Sequence, residues 1–466
     1  MEDPSGEAAA WSIDGTTFDY RSAVGDEVRL GGYVVVEAPQ GALLGQVLSQ
    51  HSLEAHGHRL VTGAGRLLDI RPGHGAFDAV ALRAAPEPLV ADGLGRRGAT
   101  LELGVLREAP GVTARLEAKG FNRHTFLCGQ SGSGKTYSLG RLLEELVLRT
   151  RLPLLVLDPN GDHVHLGRTR SDVDPASAAA YAEAASDVRV LGAETQDGVA
   201  PLRIRLGELG AGGAAALMQL DPIADREEYN ALLHALRNAP AGGFASVEAA
   251  TEAFRASGDA VLELIRMRVE NLGVDEMTAW SLRSARSVGE LWAQDRPRAL
   301  IADTSGFDDR RERIAVTVAV LEQLWADRKQ RRPLLLVVDE AHDVCPADPA
   351  DPLQRLVVDR FTRIAGEGRK YGIHLLLASQ RPDKLPENVL SQCDNLLLMR
   401  VNSAGDRAAL AARFGFVPPE LVEFAGTFGL GEILLAGKVS PAPQLARTGA
   451  RLTPEGGADV PTDWAT

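Results

Sequence analysis

The sequence predicts an α/β protein with a mostly parallel central sheet, preceded by a β-barrel and interrupted by a helical insertion. Three observations carry this. After Gly120, short apolar runs without polar alternation recur at Phe126-Leu127, Leu154 to Leu157, Ala299 to Ala302, Leu334 to Val338, Leu375 to Ala378 and Leu396 to Val401. Such runs mark strands buried on both faces, as in a parallel sheet. Between them apolar residues return at helical spacing, as in Leu139, Leu142, Leu143, Leu146 and in Ile314, Val318, Leu321, Trp325, giving each helix one face for the sheet. Before Gly120 the texture differs: from Phe18 to Glu117 short alternating runs are broken by turn residues, the mark of many short strands in a barrel or sandwich.

Taken in order, residues 1–15 are expected as a flexible tail and 16–118 as the barrel. In the barrel, Tyr33-Val34-Val35-Val36 and Leu43 to Leu48 flank the turn Pro39-Gln40-Gly41, with further turns at Pro72-Gly73-His74-Gly75 and Pro110-Gly111. Residues 119–205 and 292–447 supply the α/β core. The interval 206–291 loses the strand pattern and shows helical spacing at Leu232, Leu233, Leu236 and at Val261, Leu264, Ile265, broken by Pro240-Ala241-Gly242-Gly243. Gly431 to Arg447 reads as a strand pair turning at Gly437, and 448–466 as a polar tail that frays.

At 466 residues the chain exceeds the ~250–300 that one core supports, so more than one domain is expected. Hydrophobic content of 45% and charged content of 24% suit a folded protein and exclude a disordered or collagen-like chain. A net charge of −13 excludes a uniformly basic coat, so any nucleic-acid contact must be local. Cys128, Cys345 and Cys393 lie far apart without CxxC spacing, which argues against a disulfide framework or zinc site. No apolar run approaches the ~18–20 residues of a membrane span, and Met1 to Ala10 is acidic and small rather than signal-like, so a soluble, cytoplasmic protein is expected.

Gly129-Gln130-Ser131-Gly132-Ser133-Gly134-Lys135-Thr136 is a full GxxxxGK[ST] that follows an apolar strand and opens an amphipathic helix, the context a phosphate-binding loop requires. Its glycines let backbone N–H groups turn inward around phosphates, and the helix N-terminus adds positive dipole. Lys135 reaches the β and γ phosphates, and the Thr136 hydroxyl can ligate Mg²⁺.

The strand Leu334 to Val338 ends in Asp339-Glu340, placing two carboxylates at the carboxyl edge of the sheet, where α/β proteins bind ligands. Asp339 would hold Mg²⁺ through water, and Glu340 would polarise the water that attacks the γ-phosphorus. Alone, such a pair is as well explained by a helix N-cap with a first-turn acid; downstream of a phosphate loop the chemical role is preferred. Leu375 to Ala378 ends in Ser379-Gln380-Arg381-Pro382, so Gln380 would stand beside the acids and sense the γ-phosphate, although spacing alone favours a turn before Pro382. Arg363, Arg369 and Lys370 lie in a basic helical stretch ending at Gly372. One of these arginines could act as a finger on a neighbour's γ-phosphate, or the stretch is a solvated basic helix end. Asp158-Pro159-Asn160-Gly161-Asp162 follows another strand and is either a polar turn or, by its place at the same sheet edge, a support for the nucleotide site through Asp158 or Asp162. His342 is given no chemistry, and Cys128 is read as a small core residue.

Together these residues resemble the HerA-type ATPases, a branch of the HerA/FtsK group of hexameric DNA-pumping motors. The likeness rests on Arg123-His124-Thr125-Phe126-Leu127-Cys128-Gly129 entering the loop, Asp158-Pro159-Asn160-Gly161, and Asp339-Glu340-Ala341-His342. It rests also on Gly366-Glu367-Gly368-Arg369-Lys370-Tyr371-Gly372 leading into Ala378-Ser379-Gln380-Arg381-Pro382 and Leu390-Ser391-Gln392-Cys393. The resemblance implies a RecA-like P-loop NTPase core behind a HAS-barrel-like domain, with ATP and Mg²⁺ as cofactors. It implies a homo-hexamer whose sites lie between subunits, with Lys135, Thr136, Asp339, Glu340 and Gln380 on one side and Arg363 or Arg369 of the next subunit opposite. It further implies double-stranded DNA in the pore and a partner nuclease or NAD-consuming effector on the barrel side, in DNA end processing or antiphage defence. Gln130-Ser131 departs from the Thr-Thr usual for the family, a change that loop binding through backbone amides tolerates. A two-lobed DEAH-box helicase fits less well, since little chain follows Asp339 for a second lobe. A nucleotide-dependent scaffold that activates a partner with little translocation is the alternative function, and a secretion or conjugation coupling ATPase would call for a membrane anchor.

Overall fold

A computed structural model describes residues 8–456 apart from 26, 40, 56–57, 69–74, 96–97, 196–197, 240–242 and 282–285. Residues 1–7 of the expected N-terminal tail, Gln40, Pro72-Gly73-His74, Pro240-Ala241-Gly242 and residues 457–466 of the C-terminal tail lie outside the described residues. The chain divides into two compact units. One comprises Met1–Phe121, Thr125–Glu145 and Asp394–Ala450; the other comprises Asn122–His124, Leu146–Cys393 and Arg451–Thr466.

The first unit begins with strands β1 (Ala9–Ser12), β2 (Thr17–Ala23), β3 (Tyr33–Ala38), β4 (Gly41–Val47), β5 (His51–Ala55), β6 (His58–Leu67) and β7 (Phe77–Ala84). The order β2-β1-β7-β3-β4-β6, with β6 also pairing β2, closes a six-stranded antiparallel barrel, and β5 hangs on β6 outside it. Closure removes exposed edges. Along β2 the alternation is plain: Phe18 and Tyr20 point into a core shared with Val34, Val36, Val47, Leu67 and Leu82, while Thr17 and Asp19 face out. A Cβ at Gly65 would lie 2.2 Å from Phe18 Cζ, so the barrel closes here only over glycine. Strand β1 corrects the expectation of a flexible tail over 1–15. It pairs with both β2 and β7 and so completes the cylinder, but its inward residues are only Ala10 and Ser12, too small and too few to write a period-two pattern.

Strands β8 (Leu101–Leu106), β9 (Thr113–Leu116) and β10 (His124–Cys128) follow. Although β8 and β9 fall within the stretch 16–118 expected as barrel, they pair with each other and with a strand near the C-terminus, not with the barrel.

The second unit holds β11 (Leu154–Asp158), β12 (Val188–Gly192), β13 (Val199–Pro201), β14 (Ala299–Asp303), β15 (Leu334–Val338) and β16 (Ile373–Ser379) in the parallel order β13-β12-β14-β11-β15-β16. Every residue of β11, β15 and β16 is buried, as their apolar runs Leu154 to Leu157, Leu334 to Val338 and Leu375 to Ala378 require, and β16 buries His374 besides. Helices Arg310–Asp327 and Pro352–Glu367 pack together on this sheet. Over 206–291 the described residues form helices and no strand, only a single bridge from Ile204 to Trp280. Two of these helices carry the expected punctuation: Val247–Ser257 starts on the Ser246 side chain and ends at left-handed Gly258, and Ala260–Leu272 starts on Asp259 and ends at left-handed Gly273. The phosphate-loop helix Lys135–Arg149 ends on Arg298, whose guanidinium donates to the carbonyls of Leu146, Val147 and Thr150.

Part of the tail expected to fray over 448–466 is ordered instead. Leu452 O accepts the Arg170 N–H at 2.8 Å, Gly456 N–H donates to Asp162 O at 3.0 Å, and the Arg451 side chain is buried. The polar, Gly/Pro-bearing composition hides this, because the anchoring is through backbone groups and one arginine.

Returning to the first unit, β17 (Cys393–Leu398), β18 (Glu432–Gly437) and β19 (Gln444–Thr448) complete a sheet in the order β10-β17-β18-β19-β8-β9. The expected turn at Gly437 adopts φ 101, where a Cβ would lie 2.2 Å from Asp394 O. Buried Gln46 ties this sheet to the barrel, its Nε2 donating to Gly31 O and, at 2.5 Å, to Pro443 O.

Candidate nucleotide site

The loop Gly129 to Gly134 leaves the end of β10 and runs into the helix that starts at Lys135. Gly132 and Gly134 adopt φ 72 and 91, conformations that favour glycine and turn successive amides to one side. At Gly129 a Cβ would lie 2.7 Å from Ser133 Oγ and 2.8 Å from Met399 Cβ, so the strand can meet the loop only through glycine. Four hydrogen bonds brace the loop from two later segments. Gln130 N–H donates to Arg400 O at 3.0 Å, Asn402 N–H donates to Gln130 Oε1 at 2.8 Å, Arg400 Nη2 donates to Gly132 O at 3.0 Å, and Gly431 N–H donates to Ser133 O at 3.0 Å.

Within this cradle Ser131 and Gly132 are exposed, Lys135 is 4% exposed, and Ser133 Oγ is buried without a hydrogen-bond partner. A bound phosphate would give that hydroxyl an acceptor. Thr136 sits in the first turn of the helix, where the orphan amides and the dipole favour an anion. The donor set therefore fits the phosphates of a nucleotide, with Thr136 as an oxygen donor for Mg²⁺.

A second cluster lies in the other unit, at the carboxyl ends of β11, β15 and β16. Asp339 is fully buried and its Oδ1 accepts the Glu340 N–H at 2.8 Å. Glu340 adopts a left-handed conformation at φ 41, uncommon for a residue with a side chain. Gln380 Nε2 donates to Glu340 Oε1 at 2.6 Å, so the glutamine at the end of β16 fixes the orientation of the glutamate at the end of β15. His342 Nδ1 lies 3.4 Å from Glu340 Oε2 and 3.2 Å from Ser379 Oγ.

Asp158 is a loop organiser. Its Oδ1 accepts the amides of Asn160, Gly161 and Asp162, and its Oδ2 accepts that of His163 at 2.8 Å. This delivers His163 to Asp339: its Nε2 stands 3.4 Å from Asp339 Oδ2 with neither side chain exposed, a charge contact rather than an aligned hydrogen bond. Burial alone would lower the His163 pKa, but the Asp339 and Asp158 carboxylates outweigh it and raise it. His163 went unread in the sequence, where only its membership of the Asp158 turn could have marked it. The side-chain role of Gln130 and the bracing by Arg400 and Asn402 were likewise invisible, because their partners lie about 270 residues away.

Arg363 and Arg369 lie in the same unit as the acids but at the opposite edge of the sheet. Arg369 stands just before the amino end of β16, whereas Gln380 and the acids stand at the carboxyl ends. A seven-residue strand at ~3.3 Å per residue separates the two edges by roughly 20 Å, so neither arginine meets Glu340 within one chain. The Arg363 guanidinium stacks 4.4 Å from the Trp325 ring centroid, with Glu367 at 3.8 Å. The loop residues Gly129 to Thr136 belong to the first unit, and Asp158, Asp339, Glu340, Arg363, Arg369 and Gln380 to the second.

The family model described as "Helicase HerA, central domain" matches residues 101–324. The chain is similar to the DNA double-strand break repair helicase HerA of Pyrococcus furiosus, at 32% identity over 115 residues that cover 25% of this chain and 20% of that protein. It is similar also to the HerA of Sulfolobus acidocaldarius, at 28% identity over 142 residues that cover 28% of each. The matched segments thus span under a third of those relatives' length. Among solved structures, VirB4 of Thermoanaerobacter pseudethanolicus aligns over 76% of this chain and 97% of its own with a TM-score of 0.51 at 15% identity. The bacterial conjugative coupling protein TrwBdeltaN70 aligns over 80% and 94% with a TM-score of 0.52 at 12% identity. These two likenesses show the fold: a RecA-like P-loop core.

Proposed function

We propose that this chain, similar over residues 101–324 to the HerA central domain, is a Mg²⁺-dependent ATPase that works as a ring motor on double-stranded DNA. The observation that carries the reading is a preformed phosphate loop together with a strand-tip acid pair whose catalytic member is oriented by an amide. Loop amides and Lys135 bind the phosphates. Thr136 and Asp339 would supply oxygen donors for Mg²⁺, which when bound would offset charge on the β and γ phosphates. Glu340, held through Oε1 by Gln380, accepts a proton from the attacking water. An arginine at the amino edge of the sheet can complete such a site only from a neighbouring subunit, which supports a homo-hexameric ring with Arg363 or Arg369 in trans. A partner nuclease or NAD-consuming effector on the barrel side, in DNA end processing or antiphage defence in the cytoplasm, completes the reading. Among the described residues, no helix is long and apolar enough to cross a membrane.

The test is a pair of variants in full-length protein. Lys135→Ala should abolish ATP binding by calorimetry, and Glu340→Gln should bind ATP but lose turnover by ~10²-fold or more. Wild-type turnover in Glu340→Gln would remove the assigned base. Binding to duplex DNA should weaken steeply with salt as counterions are released. The net charge of −13 favours a second reading, a nucleotide-dependent scaffold for a partner effector. ATP-driven displacement of streptavidin from biotinylated DNA by the protein alone would decide for the motor.

A further inference from the structure

A large apolar side chain is held in solvent beside the phosphate loop, in the same compact unit. Leu430 is 67% exposed. Its Cδ1 lies 3.5 Å from where a Cβ on Gly134 would stand, next to the residue that opens the phosphate-loop helix. The turn carrying it is anchored on both sides. Gly429 N–H donates to Glu432 Oε2 at 2.7 Å, Gly431 N–H donates to Ser133 O at 3.0 Å, and Thr448 N–H donates to Gly431 O at 2.9 Å. Gly431 adopts φ 75, a conformation that favours glycine. Glu432 in turn lies 3.5 Å from Arg107 Nε, and that arginine's guanidinium sits 4.8 Å from the Phe424 ring centroid.

Holding an aliphatic side chain in water on so fixed a turn forgoes the stabilisation its burial would bring. A nucleotide whose phosphates sit on the loop amides would carry its ribose and base past the rim of the loop, the side on which Leu430 stands beside Gly134. A base is a flat, largely apolar surface, and the loop and Lys135 supply contacts only to phosphate. We propose that Leu430 is the nucleobase contact of this site: the base of a bound nucleoside triphosphate packs against it and covers it. The contact is dispersive and desolvating, so it raises affinity for nucleotides over bare polyphosphate without reading the base by hydrogen bonds.

This rests on the ATP reading above, and the experiment separates the two. Calorimetry of the full-length protein in magnesium buffer compares ATP, GTP and sodium tripolyphosphate on the wild type and on Leu430→Ala. The expected result is about five- to tenfold weaker binding of both ATP and GTP by the variant, the effect of losing contact on one face of a leucine and less than its full burial would give, with tripolyphosphate affinity unchanged. Equal losses for nucleotide and tripolyphosphate would make Leu430 a brace for the loop and overturn the proposal. Unchanged nucleotide binding would overturn it as well. A wild type that binds neither ATP nor tripolyphosphate would refute the nucleotide site itself. Because Leu430 is exposed, the variant should melt with the wild type, and Leu430→Met, which keeps an apolar surface, should restore most of the nucleotide affinity.

Discussion

Asp158→Ala should cost more stability than its place in a polar turn suggests. The carboxylate is fully buried and accepts four backbone amides, of which those of Gly161 and His163 are themselves buried. Alanine leaves these two donors with no acceptor, at about 1–3 kcal/mol each, while the part-buried amides of Asn160 and Asp162 can turn to water. The expected loss is therefore about 2–6 kcal/mol in urea unfolding at neutral pH. Asp158→Asn should lose less, because one carbonyl oxygen still serves Oδ1's partners, but its NH₂ would face the His163 N–H across the 2.8 Å now spanned by Oδ2. Both variants should also slow ATP turnover by releasing His163 from Asp339. A change below about 1 kcal/mol for Asp158→Ala would refute the accounting and return Asp158 to the role of an ordinary turn residue.

Buried His124 donates from Nε2 to Ala365 O and accepts the Leu375 N–H on Nδ1, so the fold requires it neutral; burial pushes its pKa down to about 3, and burial likewise lowers His374 to about 4. A histidine whose pKa falls on folding adds stability that is whole above its unfolded value near 6.5 and is lost as pH drops toward the folded value. Urea midpoints should therefore fall between pH 6.5 and pH 4, and His124→Gln should flatten that slope; an unaltered slope would contradict the assignment. The arginine that serves as the proposed trans finger, Arg363 or Arg369, should lower turnover by ~10³-fold or more when changed to alanine, and mixing that variant with Lys135→Ala subunits should restore activity at hybrid interfaces. Arg363→Ala should in addition lose about 0.5–1 kcal/mol from its stack on Trp325. Full turnover in both alanine variants would remove the finger from this stretch.

The strands that carry the site were legible because burial on both faces leaves an unbroken apolar run. β11, β15 and β16 are buried throughout, and each ends in polar residues at the carboxyl edge. Where that condition lapses, so does legibility. β12 is interrupted by Arg189, a charge the strand tolerates because it pairs with Asp187 and Asp295. β8 and β9 alternate as barrel strands would, but alternation reports which face is covered and says nothing about which strand lies alongside. The candidate site residues follow the same rule. Lys135, Thr136, Asp339 and Glu340 stand where a local motif puts them, whereas His163, Arg400 and Asn402 act on groups far away in the chain and write no spacing.

The shape of the phosphate loop is likewise set from a distance. Among the described residues, the bonds that brace residues 130–133 from outside the loop come from 400–402 and Gly431, and the Ser138 hydroxyl in the first helical turn meets Thr448 Oγ1 at 2.8 Å. Loop closures of this length are slow because chain entropy must be lost before the contacts form. The loop therefore reaches its binding geometry only when β17, β18 and β19 have docked beside β10. This gives Gln130 a physical role that a threonine could not fill. Threonine's hydroxyl is too short to replace an amide oxygen that reaches the Asn402 N–H at 2.8 Å, so the longer side chain joins the loop to the exit of β17. Phosphate binding through the amides is unaffected by that exchange, while the stiffness of the empty loop depends on it.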